Sequence, residues 1–250
     1  MDLPLDPAAL AGLGLVFLLA GTVKGVFGFG LPLVGVGLSA LFLPADLVIA
    51  LNAVPPLISN LWQARSGGHL GANLRRLWPA LVVLPPATWL GAGWAADLDP
   101  DLLYGVLGVI VLAVLGLGGL APGRTLPPRL ATPGGVLAGL AGGLLGGLST
   151  INGPPIILYL LALGLERALF VSALGLFFLV SSASIIVAYG GVGLLDLETG
   201  LLSLALTGPV LVGMVLGQRL GRRLEPRRFQ GGVKLLLGLL ALNMIRKALF

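Results

Sequence analysis

The sequence has no cysteine and a single histidine, and only 10% of its 250 residues are charged. Each shortage removes a class of function. Without cysteine there is no disulfide framework, no thiolate nucleophile and no thiolate metal site. The one histidine, His69, sits in the polar stretch RSGGHLGANLRR (65–76), so a serine protease working inside a membrane would have no histidine base there. Acidic residues avoid the interiors of the apolar segments, which removes an aspartyl protease and leaves no evident proton carrier. Soluble domains carry about 25% charged residues, far more than this chain, whose mean hydropathy is +1.04. A β-barrel would need apolar and polar positions to alternate, whereas runs such as VLGVIVLAVLGLGGL (106–120) are continuous. The expected fold class is therefore an all-α polytopic membrane protein.

Ten apolar segments can be drawn, at about 8–29, 31–43, 46–63, 77–96, 102–121, 134–151, 153–163, 168–190, 198–218 and 230–250. A span needs roughly 20 residues, so 31–43 and 153–163 are too short to cross. Both directly follow a glycine-rich interruption. A net charge of +5 and a pI of about 10.2 would suit nucleic acid in a soluble protein, but here the basic residues gather in loops, and no nucleic-acid partner is expected. Arg65, Arg75 and Arg76 lie in one loop, Arg124 and Arg129 in a second, and Arg219, Arg222, Arg223, Arg227 and Arg228 in a third. Lys and Arg are held on the cytoplasmic side. Loops 65–76, 122–131 and 219–228 are therefore expected inside the bacterial cytoplasmic (inner) membrane, with the N-terminus outside. The acidic turns Asp97–Asp101 and Asp196–Glu198 then face out, and DLDPD (97–101) reads as such a turn rather than a metal site. Arg246 and Lys247 fit this topology poorly. Asp2 and Asp6 stand where a cleaved leader would be basic, so the first segment is expected to be retained.

The chain also repeats itself. Aligning GVFGFGLPLV (25–34) with GLSTINGPPI (147–156) sets Gly28 on Thr150, Gly30 on Asn152 and Pro32 on Pro154; at the same offset Ser59 and Asn60 meet Ser181 and Ser182. One copy begins outside and the other inside. Two inverted-topology repeats of about five helical segments each, interrupted near the membrane midplane at matching places, form a recognised transporter pattern. The boundaries are 1–122 for the first repeat, 123–133 for a cytoplasmic linker and 134–250 for the second.

A helix broken inside the membrane is tolerated only where it is buried in protein or lines a wet cavity. The half-helix that restarts aims free N–H groups and its positive dipole end into that space, which suits an oxyanion. Gly28 and Gly30 permit close backbone approach, Pro32 and Pro154 suit the first turn of the new helix, and Ser149, Thr150, Asn152 and Gly153 line the second break. Lys24 lies four residues before Gly28, on the same helix face. It either snorkels to the interface or supplies a fixed charge to the anion. Asn60 and Gln63 share a helix face, and Ser181 and Ser182 occupy the matching place in the second half. Asn60, Gln63 and Ser181 join the candidate substrate site, while intramembrane amides such as Asn52 also bond to neighbouring helices. Pro55-Pro56 and Pro85-Pro86 read as kinks. The AGLAGGLLGG run (138–147) reads as close helix packing, because it lacks the Lys-Ser/Thr ending of a P-loop.

Through GTVKGVFGFGLPLV (21–34), SNLWQA (59–64), GLSTINGPPIILYL (147–160) and RALFVSALGLFFLVSS (167–182), the chain resembles the sulfite exporter TauE/SafE family of bacterial membrane transporters. The resemblance covers nearly the whole chain. It implies a secondary transporter, an exporter of small sulfur-containing or organic oxyanions such as sulfite or sulfoacetate, rather than an enzyme. The family is commonly drawn with about eight spans, against ten segments here. No cofactor is expected; the expected partners are the anion and membrane lipid, with a homo-oligomer left open. An anion channel, or an intramembrane enzyme acting on a lipid-linked substrate, is the alternative.

Overall fold

The computed structural model describes residues 7–65, 69–117 and 126–221, with 238–239, 241–243, 245–246 and 248–249 near the C-terminus. Among these residues there is no strand. The helices are α1 (Pro7–Phe27), α2 (Leu31–Ser39), α3 (Ala45–Leu51), α4 (Val54–Arg65), α5 (Leu70–Asp97), α6 (Pro100–Leu117), α7 (Pro128–Ser149), α8 (Gly153–Ala162), α9 (Arg167–Gly191), α10 (Leu197–Ala205) and α11 (Thr207–Gly221). Helical residues then recur between 238 and 249 and pack on α6 through Gly105 and Gly108, which face Ala248 and Ile245. Five stretches are long and apolar enough to cross a membrane: Pro7–Phe27, Ala45–Arg65, Pro128–Ser149, Leu169–Gly191 and Leu197–Leu220. α5, with 28 residues, is longer than any of them. The chain is an integral membrane protein. Asp2, Asp6, Arg124, Lys247, the basic residues 222–228 and most of segment 230–250 lie outside the described residues.

Several expected boundaries are corrected. Segment 46–63 is two helices, α3 and α4. Pro55 and Pro56 start α4 rather than kink it, since Pro55 has no N–H to give the Leu51 carbonyl. Ser203 of α10 takes over that carbonyl, donating to it at 2.7 Å and accepting from Val54 N at 3.2 Å. Segment 198–218 likewise divides into α10 and α11 at Leu206, where Pro209 in the first turn of α11 cannot bond back to Ala205. Pro79, Pro85 and Pro86 lie inside α5, which continues through them. Helices also outrun the apolar segments. α5 begins at Leu70, so Arg75 and Arg76 are exposed on helix rather than loop, and α7 begins at Pro128, inside the stretch read as a linker. Hydropathy marks only the apolar length, and the helices continue beyond it.

Glycine sets the packing. Along α1 and α11, Gly21 and Gly25 lie against the backbone of Val210 and Met214, while Gly213 and Gly217 lie against Leu18 and Thr22. Along α5 and α7, Gly139, Gly143 and Gly147 meet the backbone of Ala80, Leu84 and Thr88 in the same way. Small residues let helix backbones close to this range in lipid; that is what the AGLAGGLLGG run does. α4 and α9 form the inner pair: 61% and 56% of positions are buried in the spans that hold them, against 39% in the other three. Gly175 of α9 sits against Gln63 and Ala64 of α4, and Ser172 Oγ donates to Ala64 O at 3.1 Å. Outward-facing Leu15, Val109, Leu137 and Val187 are each more than half exposed, as a lipid-facing surface requires.

Candidate functional site

Two places where the chain leaves the helix flank the inner pair. At the first, α1 ends in a left-handed Gly28 (φ 81°) whose N–H bonds to Lys24 O at 2.7 Å; Phe29 follows, and Gly30 (φ 96°) caps α2. At the second, α7 ends in Thr150, also left-handed (φ 60°), whose N–H bonds to Gly146 O at 2.8 Å; Ile151 follows, and Asn152 caps α8. This is the left-handed helix terminus that glycine normally supplies. α2 has 9 residues and α8 has 10, a rise of about 14 and 15 Å, or roughly half the hydrocarbon core. Pro32 is the second residue of α2, and Pro154 and Pro155 are the second and third of α8. Those prolines remove N–H groups from both first turns. The restarting helices therefore offer fewer backbone donors than first turns without proline, and the polar character of the candidate site rests on side chains.

Those side chains converge on α9. Lys24, only 3% exposed, points inward rather than snorkelling, and its Nζ donates to Asn60 Oδ1 of α4. Asn60 Nδ2 donates in turn to Ser182 Oγ at 3.2 Å, and Ser182 Oγ to Phe178 O at 2.6 Å. One residue earlier on α9, Ser181 Oγ accepts from Asn152 Nδ2 at the head of α8. The Phe178 ring lies between the two breaks. Its centroid is 5.8 Å from Lys24 Nζ, and its edge would be 3.7 Å from a Cβ on Gly153. Gln63 reaches the first break: its amide nitrogen lies 3.6 Å from where a Gly28 Cβ would be, with a long bond of 3.4 Å to Val171 O.

Not every expected residue faces this cluster. Ser149 serves the helix end, donating to Leu145 O at 2.7 Å and accepting from Ile151 N at 3.1 Å. Asn52 bonds to Val48 O at 2.9 Å and presses on Gly35. Thr150 Oγ1 bonds to none of these side chains but lies in the second break itself, buried and with no protein partner. Two members of the cluster stood outside the expected set. Ser182 was legible, since it stands where the second copy repeats Asn60. Phe178 was not, because an aromatic in an apolar run carries no signal.

The electrostatics are lopsided. Among the residues whose side chains are described, Lys24 is the only buried charged one. The carboxylates of Asp97, Asp99, Asp101, Glu166, Asp196 and Glu198 are on exposed residues at helix ends, while Asp46, in the first turn of α3, is half-buried with one carboxylate oxygen buried and without a hydrogen-bond partner. Asp196, at the head of α10, accepts the Thr199 N–H at 2.8 Å, which holds its carboxyl below the usual range. At the position matching Lys24, the second half has Gly146, facing Asn152 and Ser181. One half thus supplies a cation and amides, the other small hydroxyls and an amide. An unpaired ammonium in a low-dielectric interior is costly, and the Asn60 oxygen and Phe178 face offset only part of that cost. An anion between the breaks would offset the rest.

Neither curated proteins nor solved structures gave a match. The family model described as Sulfite exporter TauE/SafE matches residues 13–244, almost the whole chain. Helices long and apolar enough to span a membrane and a match of that extent agree: the chain belongs to the sulfite exporter TauE/SafE family of membrane transporters.

Proposed function

We propose that the chain is a secondary carrier that exports small sulfur-containing or organic oxyanions, sulfite or sulfoacetate among them, bound between the breaks at Gly28–Gly30 and Thr150–Asn152. The observation that carries this reading is Lys24, buried beside the first break with no carboxylate ion pair among the described residues. In this reading the protein performs no covalent chemistry, and it sits in the cytoplasmic membrane with its N-terminus outside. The two halves are inverted repeats. Support for the repeat comes from the left-handed residues 28 and 150, from α3 and α9 starting at Ala45 and Arg167, and from the bond between Asn60 and Ser182, each pair 122 residues apart. The glycine pairings add to it, because α1 with α11 and α7 with α5 are equivalent pairs under that offset.

The test is anion binding to purified protein in detergent, with sulfite as probe. Lys24→Gln should weaken binding about tenfold or more, that is by 1.4 kcal/mol or more, at matched folded fraction. Lys24→Arg should lose less, because it keeps the charge. Equal affinities for the parent and Lys24→Gln would remove Lys24 from the site.

A further inference from the structure

We infer that the site binds its ligand as a monoanion, and so discriminates between oxyanions of one shape by their charge. The inference rests on the anion-site reading above and narrows it. Its basis is a charge count in a dry place. Two groups meet Lys24, Asn60 from α4 and Phe178 from α9, and Ser182 of α9 holds the far side of the Asn60 amide. None of these is ionisable. Among the residues whose side chains are described there is no second buried cation; Arg65, Arg75, Arg76, Arg129 and Arg219 are exposed at helix ends.

A single buried positive charge is neutralised by one negative charge. A dianion would leave the complex as far from neutrality as the empty site, with the sign reversed, and the low dielectric penalises both. The hydrogen-bonding groups point the same way. Lys24 has three N–H groups and spends one on Asn60. Thr150 Oγ1 is buried without a partner, and Gln63 makes only a long bond. Beside the Lys24 ammonium, Thr150 and Gln63 are neutral donors, and no guanidinium fork is there to grip a second charge. Of the two example ligands, this favours sulfite, bound in its singly protonated form, over sulfoacetate, which carries two charges.

Methanesulfonate and sulfate separate charge from shape. Both are tetrahedral with at least three sulfonyl-type oxygens; a methyl group in one replaces a charged oxygen in the other. Binding of each is measured by calorimetry to the full chain in detergent at constant ionic strength. The monoanion should bind at least about tenfold more tightly than the dianion, and Lys24→Gln should lose most of that preference. Equal or tighter binding of sulfate would overturn the monoanion inference while leaving the anion site intact. Binding of neither, nor of sulfite, would overturn the site reading and the inference with it.

Discussion

Thr150 is the only non-glycine residue with a positive φ among the described residues. A β-branched side chain in that region is a genuine outlier, and holding it there costs on the order of 1–3 kcal/mol. Its counterpart in the first half, Gly28, adopts the same conformation without a side chain to strain. What threonine adds is the hydroxyl, buried, unpartnered and two residues from Asn152. If that hydroxyl is a ligand for the anion, strain and function are tied together at one position. Thr150→Gly should then raise the melting temperature in detergent, by relief of about 1 kcal/mol or more, while weakening sulfite binding severalfold. A variant that gains stability and keeps full affinity would show that the hydroxyl plays no part in binding. The sequence exposed the position as a break but gave no sign of the strain. Backbone conformation at threonine is set by what surrounds it, here the Gly146 carbonyl and the start of α8.

At the level of elements, the breaks were legible because glycine and proline act locally. Gly28, Gly30 and Pro32 mark one restart, and Gly153 with Pro154 marks the other, whatever the rest of the chain does. The Lys24–Asn60 bond was not legible, because its partners are 36 residues apart and are joined only by packing. Proline also misled. Pro55-Pro56 opens a helix where a kink is expected, because Ser203 from another helix supplies the donor that the prolines lack. Helix α5 shows how element and membrane relate. Arg75 and Arg76 lie near its start and Asp97 at its end, and Trp78 and Trp94 are exposed between them. The two tryptophans are separated by a rise of about 24 Å, close to the spacing of the two aromatic belts of a bilayer. In the cysteine-free parent, Arg75→Cys should therefore react with an impermeant maleimide only from the cytoplasmic side, and Asp99→Cys only from the outside. Labelling of both from one side would remove the proposed orientation of α5 and, with it, the inverted arrangement.

For the whole molecule the question is what drives transport, since neither the exposed acids at the helix ends nor half-buried Asp46 of α3 forms an ion pair with Lys24. The tightly zipped pairs α1–α11 and α5–α7 flank the inner helices α4 and α9, and the proposed site lies where the breaks meet α9. If the flanking pairs rock against the inner pair, the barrier moves from one side of Lys24 to the other while the site stays in place. With a monoanion bound, the complex is neutral and feels little of the membrane potential; the empty site carries Lys24 and does feel it. An inside-negative potential then favours the empty site opening inward, where an exporter loads. One charge moves per turnover, and each is worth about 2.3 kcal/mol per 100 mV. That corresponds to roughly a fifty-fold anion gradient at equilibrium. In liposomes loaded with methanesulfonate, imposing an inside-negative potassium diffusion potential of about 100 mV should speed efflux and shift the final distribution outward toward that limit. A final distribution that does not respond to the potential would mean that an unseen co-ion cancels the charge, and potential-driven export through a lone lysine would have to be abandoned.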